Sequence, residues 1–233
     1  MRFSIAPLIF EKFPKLCVGV VVVKDVDNKG SDEKIHKLLE EIEDYIKLNF
    51  TLADVAKHEL ISPWKTVYEE FGIKPASYHS SVEALMKRIL NGKRVPRVNK
   101  LVDISNYVSL KYIVPVGVFD LDEVDVYINL GEADGTEQFF PIGTVKMQHP
   151  KKGEIVYKDD SQVLCRRWNW KESEKTKVRE ETRNAIFFVD GLPPLTKKKV
   201  LEIVKDIAGL VEMFCGGKIS YYVLDSSNRE IEF

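Results

Sequence analysis

The run Cys17-Val-Gly-Val-Val-Val-Val-Lys24 is the stretch of sequence that decides the fold. Its valines are β-branched and favour extended backbone, and they follow one another without polar interruption. A continuous apolar run of this length is typical of a strand inside a sheet, whereas a membrane span needs ~20 apolar residues. The turn-forming residues Asp27-Asn28-Lys29-Gly30 come next. We therefore predict a buried central strand followed by a loop.

Helical periodicity dominates the part of the chain between this strand and Pro115. Apolar residues recur at spacings of three and four, and Ser or Asn precedes several of the segments as a potential N-cap. The predicted helices are Ser31–Leu48 capped by Ser31, Pro63–Gly72 after Ser62, a helix from Ser80 to Asn91-Gly92 with a Ser80/Glu83 capping box, about Asn99–Tyr112, and Thr196–Phe214 after the strands.

Short alternating segments replace the helical pattern beyond Pro115. The predicted strands are 124–130, 138–140, 154–157, 163–168, 185–189 and 218–224. Turn residues separate them, so most are expected to form antiparallel hairpins. The prediction is an α+β fold in which a helical N-terminal half packs on mostly antiparallel strands, with residues 1–233 forming one domain around a shared core.

Composition excludes several classes of function. Hydrophobic residues make up 44% of the chain and the net charge is −1, which is typical of a folded protein rather than of a disordered or polyanion-binding one. Three widely spaced cysteines and the absence of a signal-peptide pattern predict a cytoplasmic protein that does not enter the membrane. The four histidines form no metal-binding motif, and no glycine-rich nucleotide loop occurs, so we predict neither a metal nor a cofactor.

A basic segment is the first candidate for a functional surface. It contains six cations and no acid: Lys87, Arg88, Lys93, Arg94, Arg97 and Lys100. Such a patch can hold RNA phosphates. Cations also gather at helix ends because of the helix dipole, so an ordinary solvated surface is the alternative.

Two dense polar segments are the second candidate. In the first, helical spacing places Asp103, Asn106 and Tyr107 on one side, where they could bind a ligand or form a buried hydrogen-bond network. In the second, strand alternation predicts Arg166, Trp168 and Trp170 on one face and Arg167, Asn169 and Lys171 on the other. The face with the two tryptophans would offer an aromatic shelf for stacking. The alternative is a tryptophan core with snorkelling arginines.

Cys165 precedes two arginines that would favour a thiolate nucleophile. No base is evident nearby. In a strand, the side chains of Cys165 and Arg166 would point to opposite faces. We therefore favour a buried structural cysteine over a catalytic one.

These segments together resemble the editing domain, formed by the B3/B4 modules, of the phenylalanyl-tRNA synthetase β subunit. The ordered matches are Arg94–Leu110 with its VDxxNY core, Pro115–Asp122 with its PxxxFD ending, and Thr182-Arg-Asn184. Free-standing members of the family resemble Ser80–Leu85, Gly153–Asp159 and Cys165–Trp170 as well. The resemblance covers roughly Trp64 to Val189. Where the synthetase motif has a histidine in PxHxFD, this sequence has Gly117.

The resemblance implies a B3/B4-like fold and a hydrolase that deacylates a mischarged aminoacyl-tRNA in trans. It implies that Asn106 contacts the aminoacyl group, that Ser81, Glu83, Asp160 and Trp168 line the pocket, and that Arg166 and Asn169 orient the ester or the terminal adenosine. Asn106, Asn169 and Arg166 are thus the catalytic candidates. The expected partners are aminoacyl-tRNA or a free amino acid. The alternative is a non-catalytic module that binds tRNA or an amino acid.

Overall fold

The computed structural model describes residues 1–70, 72 and 78–233, and it has the α+β fold that the sequence predicts. The strands are β1 (Arg2–Ile5), β2 (Cys17–Lys24), β3 (Val116–Asp120), β4 (Tyr127–Glu132), β5 (Ile155–Lys158), β6 (Val163–Arg166), β7 (Lys171–Glu172), β8 (Ala185–Gly191), β9 (Lys218–Leu224) and β10 (Glu230–Glu232). The helices are α1 (Pro7–Lys12), α2 (Glu33–Asn49), α3 (Leu52–Lys57), α4 (Ser62–Glu70), α5 (Ser81–Leu90), α6 (Lys100–Tyr112) and α7 (Lys197–Phe214).

The valine run forms β2, an inner strand of a four-stranded antiparallel sheet in the order β3-β8-β2-β9. Its side chains alternate between two apolar clusters, with Val18, Val20 and Val22 in one and Val21 and Val23 in the other. Both faces of the sheet are therefore covered, which explains the uninterrupted valines. The predicted single shared core is wrong: this sheet separates two cores.

One face of this sheet carries the helical layer. Helices α2, α5, α6 and α7 contribute their apolar stripes to the cluster that contains Val21. The close approach of α7 depends on Gly19, because a Cβ at that position would lie 2.5 Å from Cγ1 of Val204 and 2.8 Å from Cγ1 of Val200. The glycine within the valine run thus serves helix packing.

A six-stranded sheet covers the other face, in the order β10-β1-β4-β5-β6-β7. Its strands pair antiparallel except for β1 and β4, which are parallel. Aromatic rings fill the space between the sheets, and the rings of Phe3, Phe119 and Tyr157 surround that of Phe188 at centroid distances of 4.7–5.3 Å. Edge strands β3 and β7 meet beside this aromatic core.

Several local predictions are corrected. Asp32, not Ser31, caps α2 by accepting from the amides of Lys34 and Ile35. Ser80 is the N-cap residue of α5 but makes no capping bond, so the predicted capping box does not form. The segment 138–140 makes isolated bridges only, and the strand predicted for 163–168 ends at Arg166. Among the described residues, no helix is both long enough and apolar enough to cross a membrane.

Candidate functional site

A cavity of about 210 Å³ opens where β3 and β7 meet, between the two sheets. The edge strands and the first turn of α5 supply its rim, and β5, β6 and β8 supply its interior. The lining residues are Ser81, Val116, Gly117, Phe119, Ile142, Tyr157, Cys165, Trp168, Asn169, Trp170, Lys171, Glu172, Phe188 and Asp190. Five of these fourteen residues are aromatic and two are acids.

Asp190 is the deeper acid and lies at the centre of a hydrogen-bond network. The Tyr157 hydroxyl donates to its Oδ1 at 2.6 Å, and Nδ2 of Asn169 donates to its Oδ2 at 3.3 Å. The Tyr68 hydroxyl in turn donates to Oδ1 of Asn169 at 2.9 Å. Burial raises the pKa of Asp190 to about 6, against the opposing effect of these hydrogen bonds. The chain thus places a carboxyl group that titrates near neutrality inside an aromatic pocket.

Glu172 is the second acid, at the edge strand β7. Burial raises the pKa of its carboxyl to about 7, so that both protonation states are populated at neutral pH. The carboxyl occupies space left by a glycine, since a Cβ on Gly117 would lie 3.0 Å from its Oε1. Gly117 stands where the synthetase motif has a histidine, and in this chain the space beside it holds an acid instead.

The turn between β6 and β7 brings Trp168 and Asn169 into the cavity. Arg167 and Trp168 adopt left-handed backbone with φ of 49° and 65°, conformations that cost energy for residues other than glycine. The Arg167 guanidinium lies between the rings of Tyr78 and Trp170, 3.6 and 4.3 Å from their centroids. The predicted alternation of residues 166–171 on one strand is therefore wrong, because this strained turn replaces the strand.

A second, more open groove of about 370 Å³ adjoins the cavity. It runs between α5, α6 and β3, and it shares Ser81, Val116 and Glu172 with the cavity. Within the described part of the chain, the buried Oγ of Ser81 has no hydrogen-bond partner. Ser81 and Glu172 therefore mark the junction between the cavity and the adjoining groove.

Four residues predicted for the site do lie there. Ser81, Trp168 and Asn169 line the cavity, and Asn106 lines the groove from α6. Asp103, predicted on the same side of the helix as Asn106, does not line the groove. It is buried and pairs with His36 at 3.3 Å. Burial raises the pKa of Asp103. For Asp103, the structure supports the alternative of a buried network over ligand binding.

Three residues predicted for the site lie elsewhere. Arg166 is buried and makes a two-point ion pair with Glu154, at 2.8 Å from both Nε and Nη2. Glu83 is buried beneath the first turn of α5, where Lys87 pairs with it at 2.7 Å. Asp160 lies on the exposed turn between β5 and β6. All three side chains therefore lie outside the cavity and the groove.

The six predicted RNA-binding cations are not equally free to contact phosphate. Arg94 and Arg97 both bind the buried Glu43, at 2.6 and 3.0 Å, and the amide of Val95 also donates to it. Lys87 pairs with Glu83, and Lys100 lies 3.6 Å from Asp27. Arg88 and Lys93 remain exposed, and Arg88 also lines the groove. Ion pairs thus engage four of the six cations, and the acids Glu43 and Asp27 that bind three of them are distant in sequence.

Cys165 is unsuited to nucleophilic chemistry. It is 4% exposed, and burial together with the nearby Glu172 and Asp190 raises its pKa well above the usual range of a thiol. The preferred reading of a buried cysteine is confirmed. Across the described residues, no group of three or more His, Cys, Asp or Glu side chains is arranged to hold a metal ion.

Sequence reasoning missed both acids of the cavity. Glu172 follows Lys171 in a polar segment, and Asp190 ends an apolar strand, so neither belongs to a recognisable motif. The signal that could have found Asp190 is a carboxylate directly after the buried run 185–189, a position at the end of an inner strand. Tyr157 and Tyr68 were likewise expected only as members of a predicted strand and a predicted helix.

The chain matches the model of a known domain family. The family model of the B3/4 domain matches residues 63–215, about two thirds of the chain, and the chain belongs to this family. The resemblance expected from the sequence is thereby confirmed, and the match extends through α7.

Among solved structures, the chain is similar to an N-terminal fragment of the phenylalanyl-tRNA synthetase β subunit from Pyrococcus horikoshii. The two share 14% sequence identity with a TM-score of 0.49, over 93% of this chain and 49% of the fragment. The chain thus spans about half the length of that fragment. A search of curated proteins found no match.

Proposed function

We propose that this protein hydrolyses the ester bond of a mischarged aminoacyl-tRNA in trans. Membership of the B3/4 family supports the proposal, and one structural observation carries it. Glu172 lies where the cavity adjoins the groove, and its pKa of about 7 lets it accept and return a proton at neutral pH. A hydrolytic site for a tethered amino acid needs one compartment for the amino acid and an adjoining one for the nucleic acid.

In the proposed complex the amino acid occupies the cavity and the terminal ribose of the tRNA occupies the groove. The ester then lies beside Ser81 and Glu172. Ionised Glu172 accepts a proton from water as the water oxygen attacks the ester carbonyl, and the Ser81 hydroxyl donates to the developing oxyanion. When the tetrahedral intermediate collapses, Glu172 returns the proton to the departing ribose oxygen. The products are a free amino acid and an uncharged tRNA.

Positioning falls to residues that the sequence had already selected. Asn106 reaches the groove from α6 and is suited to hydrogen-bond the ribose or the aminoacyl group. Asn169 holds the Asp190 network in place and orients the wall of the cavity. Arg166, formerly a catalytic candidate, supports this turn through Glu154, which also accepts from the backbone amide of Arg167 at 3.1 Å.

RNA contact in this proposal depends on Arg88 and Lys93. Both are exposed on the segment that borders the groove. The ion-paired Arg94 and Arg97 contribute less, because each would have to release the buried Glu43 to bind phosphate. Charge reversal at Arg88 and Lys93 is expected to weaken tRNA retention and to reduce its salt dependence, whereas hydrolysis of a small aminoacyl ester is unaffected.

The test is ester loss from a panel of correctly and incorrectly charged aminoacyl-tRNAs. The wild-type protein is compared with Glu172→Gln, with Asn106→Ala, and with Glu212→Gln, which makes the same chemical change at an exposed position of α7. We expect hydrolysis of a mischarged species that falls at least ~100-fold in Glu172→Gln, as is typical for removal of a general base. Full activity in Glu172→Gln would refute the mechanism. No hydrolysis across the panel would leave the amino-acid-binding module as the function.

A further inference from the structure

We propose that the cavity selects ligands by a positively charged ammonium group, which binds at Asp190 inside the aromatic wall. This inference deepens the proposed function and rests on it for placing an aminoacyl ligand in the cavity. It does not depend on the hydrolytic step, because it concerns recognition of the ligand alone.

The first argument is that the two acids lack a cation. Four buried acids elsewhere are each paired with a lysine or an arginine: Glu43 with Arg94, Glu83 with Lys87, Glu154 with Arg166 and Asp159 with Lys175. Of the other buried acids, Asp103 pairs with His36 and Asp120 accepts from the Thr182 hydroxyl. In the described part of the chain, no such ion pair reaches Asp190 or Glu172. Lys171 also lines the cavity but pairs with neither acid. Because a buried carboxylate is stabilised by an opposite charge, a cationic ligand would complete the site.

The second argument is the wall itself. Phe119, Tyr157, Phe188, Trp168 and Trp170 all line the cavity. The faces of aromatic rings attract cations, and the attraction grows when water is excluded. A wall of aromatic rings around two acids is therefore chemically suited to an ammonium group, and it disfavours a carboxylate or a phosphate.

The third argument is the set of donors around Asp190. Trp168 is fully buried and lines the cavity, and its indole N–H acts on the Asp190 carboxyl and lowers the pKa of that group. The Tyr157 hydroxyl and the Asn169 amide donate to the same carboxyl. These donors fix the carboxyl on the cavity wall and favour its ionised form, which is the form that an ammonium group binds.

Proton release should accompany binding. The pKa values of about 6 for Asp190 and about 7 for Glu172 mean that the free cavity retains protons at neutral pH. The other groups facing Asp190 are the Tyr157 hydroxyl, the Asn169 amide, the Trp168 indole and the Cys165 thiol, and the backbone amide of Val118 faces Glu172. Lys171 also lines the cavity. An ammonium ligand favours the ionised acids, so its affinity should rise from pH 5 to pH 8 as protons leave.

Three amides of one chain length provide the test. Hexanamide carries no amine, L-norleucinamide carries an α-amine, and 6-aminohexanamide carries the amine at the far end. Binding to the full-length protein is measured by ligand-observed NMR and calorimetry at pH 5 and pH 8. We expect at least one amine to bind ~10-fold or more tightly than hexanamide, equivalent to about 1.4 kcal/mol. The preferred isomer tells whether the α-amine or a side-chain amine is recognised.

The matched variants are Asp190→Asn in the cavity and Asp160→Asn on the exposed turn. We expect the first to lose the preference for an amine and the second to retain it. Equal binding of the three amides to wild-type protein, or no binding of any, would overturn the inference without any appeal to a variant. Amine-selective binding without hydrolysis of aminoacyl-tRNA would uphold it and overturn the editing proposal. Hydrolysis without amine selectivity would do the reverse.

Discussion

Replacement of Glu172 by glutamine should make the protein more stable at alkaline pH than the wild type. Glutamine is nearly isosteric with glutamate, so it fills the space beside Gly117 but carries no ionisable group. In the wild type, the folded carboxyl has a pKa of about 7, against an ordinary value of 4.5. The folded state therefore holds a proton that the unfolded chain has already released between these two pH values.

The sign and size of the effect follow from this difference. Below pH 4.5 the carboxyl is protonated in both states and titration has no effect on stability. Between 4.5 and about 7 the unfolded state ionises first, so wild-type stability falls as the pH rises, and above about 7 the loss is complete. For a fully buried carboxyl, this difference in pKa corresponds to a loss of about 3 kcal/mol in the free energy of unfolding. Because the side chain is only partly buried, we expect ~2 kcal/mol.

Urea denaturation at pH 5 and pH 8.5 measures the effect directly. The free energy of unfolding of the wild type should fall by ~2 kcal/mol more between these conditions than that of Glu172→Gln. Other titrating groups contribute equally to both proteins and cancel in the comparison. Glu212→Gln, at an exposed helical position, should behave as the wild type. Parallel pH dependences for wild type and Glu172→Gln would refute the claim that the fold raises this pKa.

Three further changes test the framework around the site. Gly19→Ala should lower the free energy of unfolding by ~1–3 kcal/mol, because its methyl group would clash with Val204. Gly209→Ala should raise it by up to about 1 kcal/mol, because a methyl group there would meet no atom within 4 Å and alanine favours the helix. Equal effects of the two in urea denaturation would contradict the packing described for α7. Glu43→Ala should lower the free energy of unfolding by ~3–5 kcal/mol, because it leaves Arg94, Arg97 and the Val95 amide without their common acceptor. A fall in the melting temperature of less than ~2 °C would argue against that role. Cys165 should resist alkylation in native protein and react in denaturant, and rapid native labelling would reopen the nucleophile hypothesis.

The sequence predicted those parts of the fold that local patterns determine. The bounds of α6 and α7 follow from periodicity, and in the structure the side chains of Asn99 and Thr196 cap these helices by accepting from the amides of Val102 and Lys199. The valine run identified the inner strand because burial on both faces removes polar residues from the pattern. Strand β1 and helices α1 and α3 were missed, since four to six residues carry too little periodicity to be recognised.

The site was predicted only where a residue belonged to a family motif. Asn106, Ser81, Asn169 and Trp168 line the candidate cavity or groove, whereas the partners that bury Glu83 and Arg166 were not foreseen. Glu43 lies 51 residues from Arg94 in sequence, and it neutralises a segment that appears purely basic when read locally. Long-range ion pairs of this kind cannot be read from spacing, because only the packing of α2 against the loop before α6 brings the charges together.

Gly117 and Glu172 are best understood as one structural unit. The sequence comparison presents Gly117 as the loss of a histidine, which would argue for a weakened hydrolytic site. In the structure, the carboxyl of Glu172 occupies the space next to that glycine, with Oε1 only 3.0 Å from the position of the missing Cβ. A side chain at 117 and a carboxyl in this position therefore compete for the same volume. The exchange places an acid with a pKa of about 7 where the motif has an imidazole, and the two groups titrate in the same pH range. Proton transfer at neutral pH therefore remains chemically available to this site without a histidine.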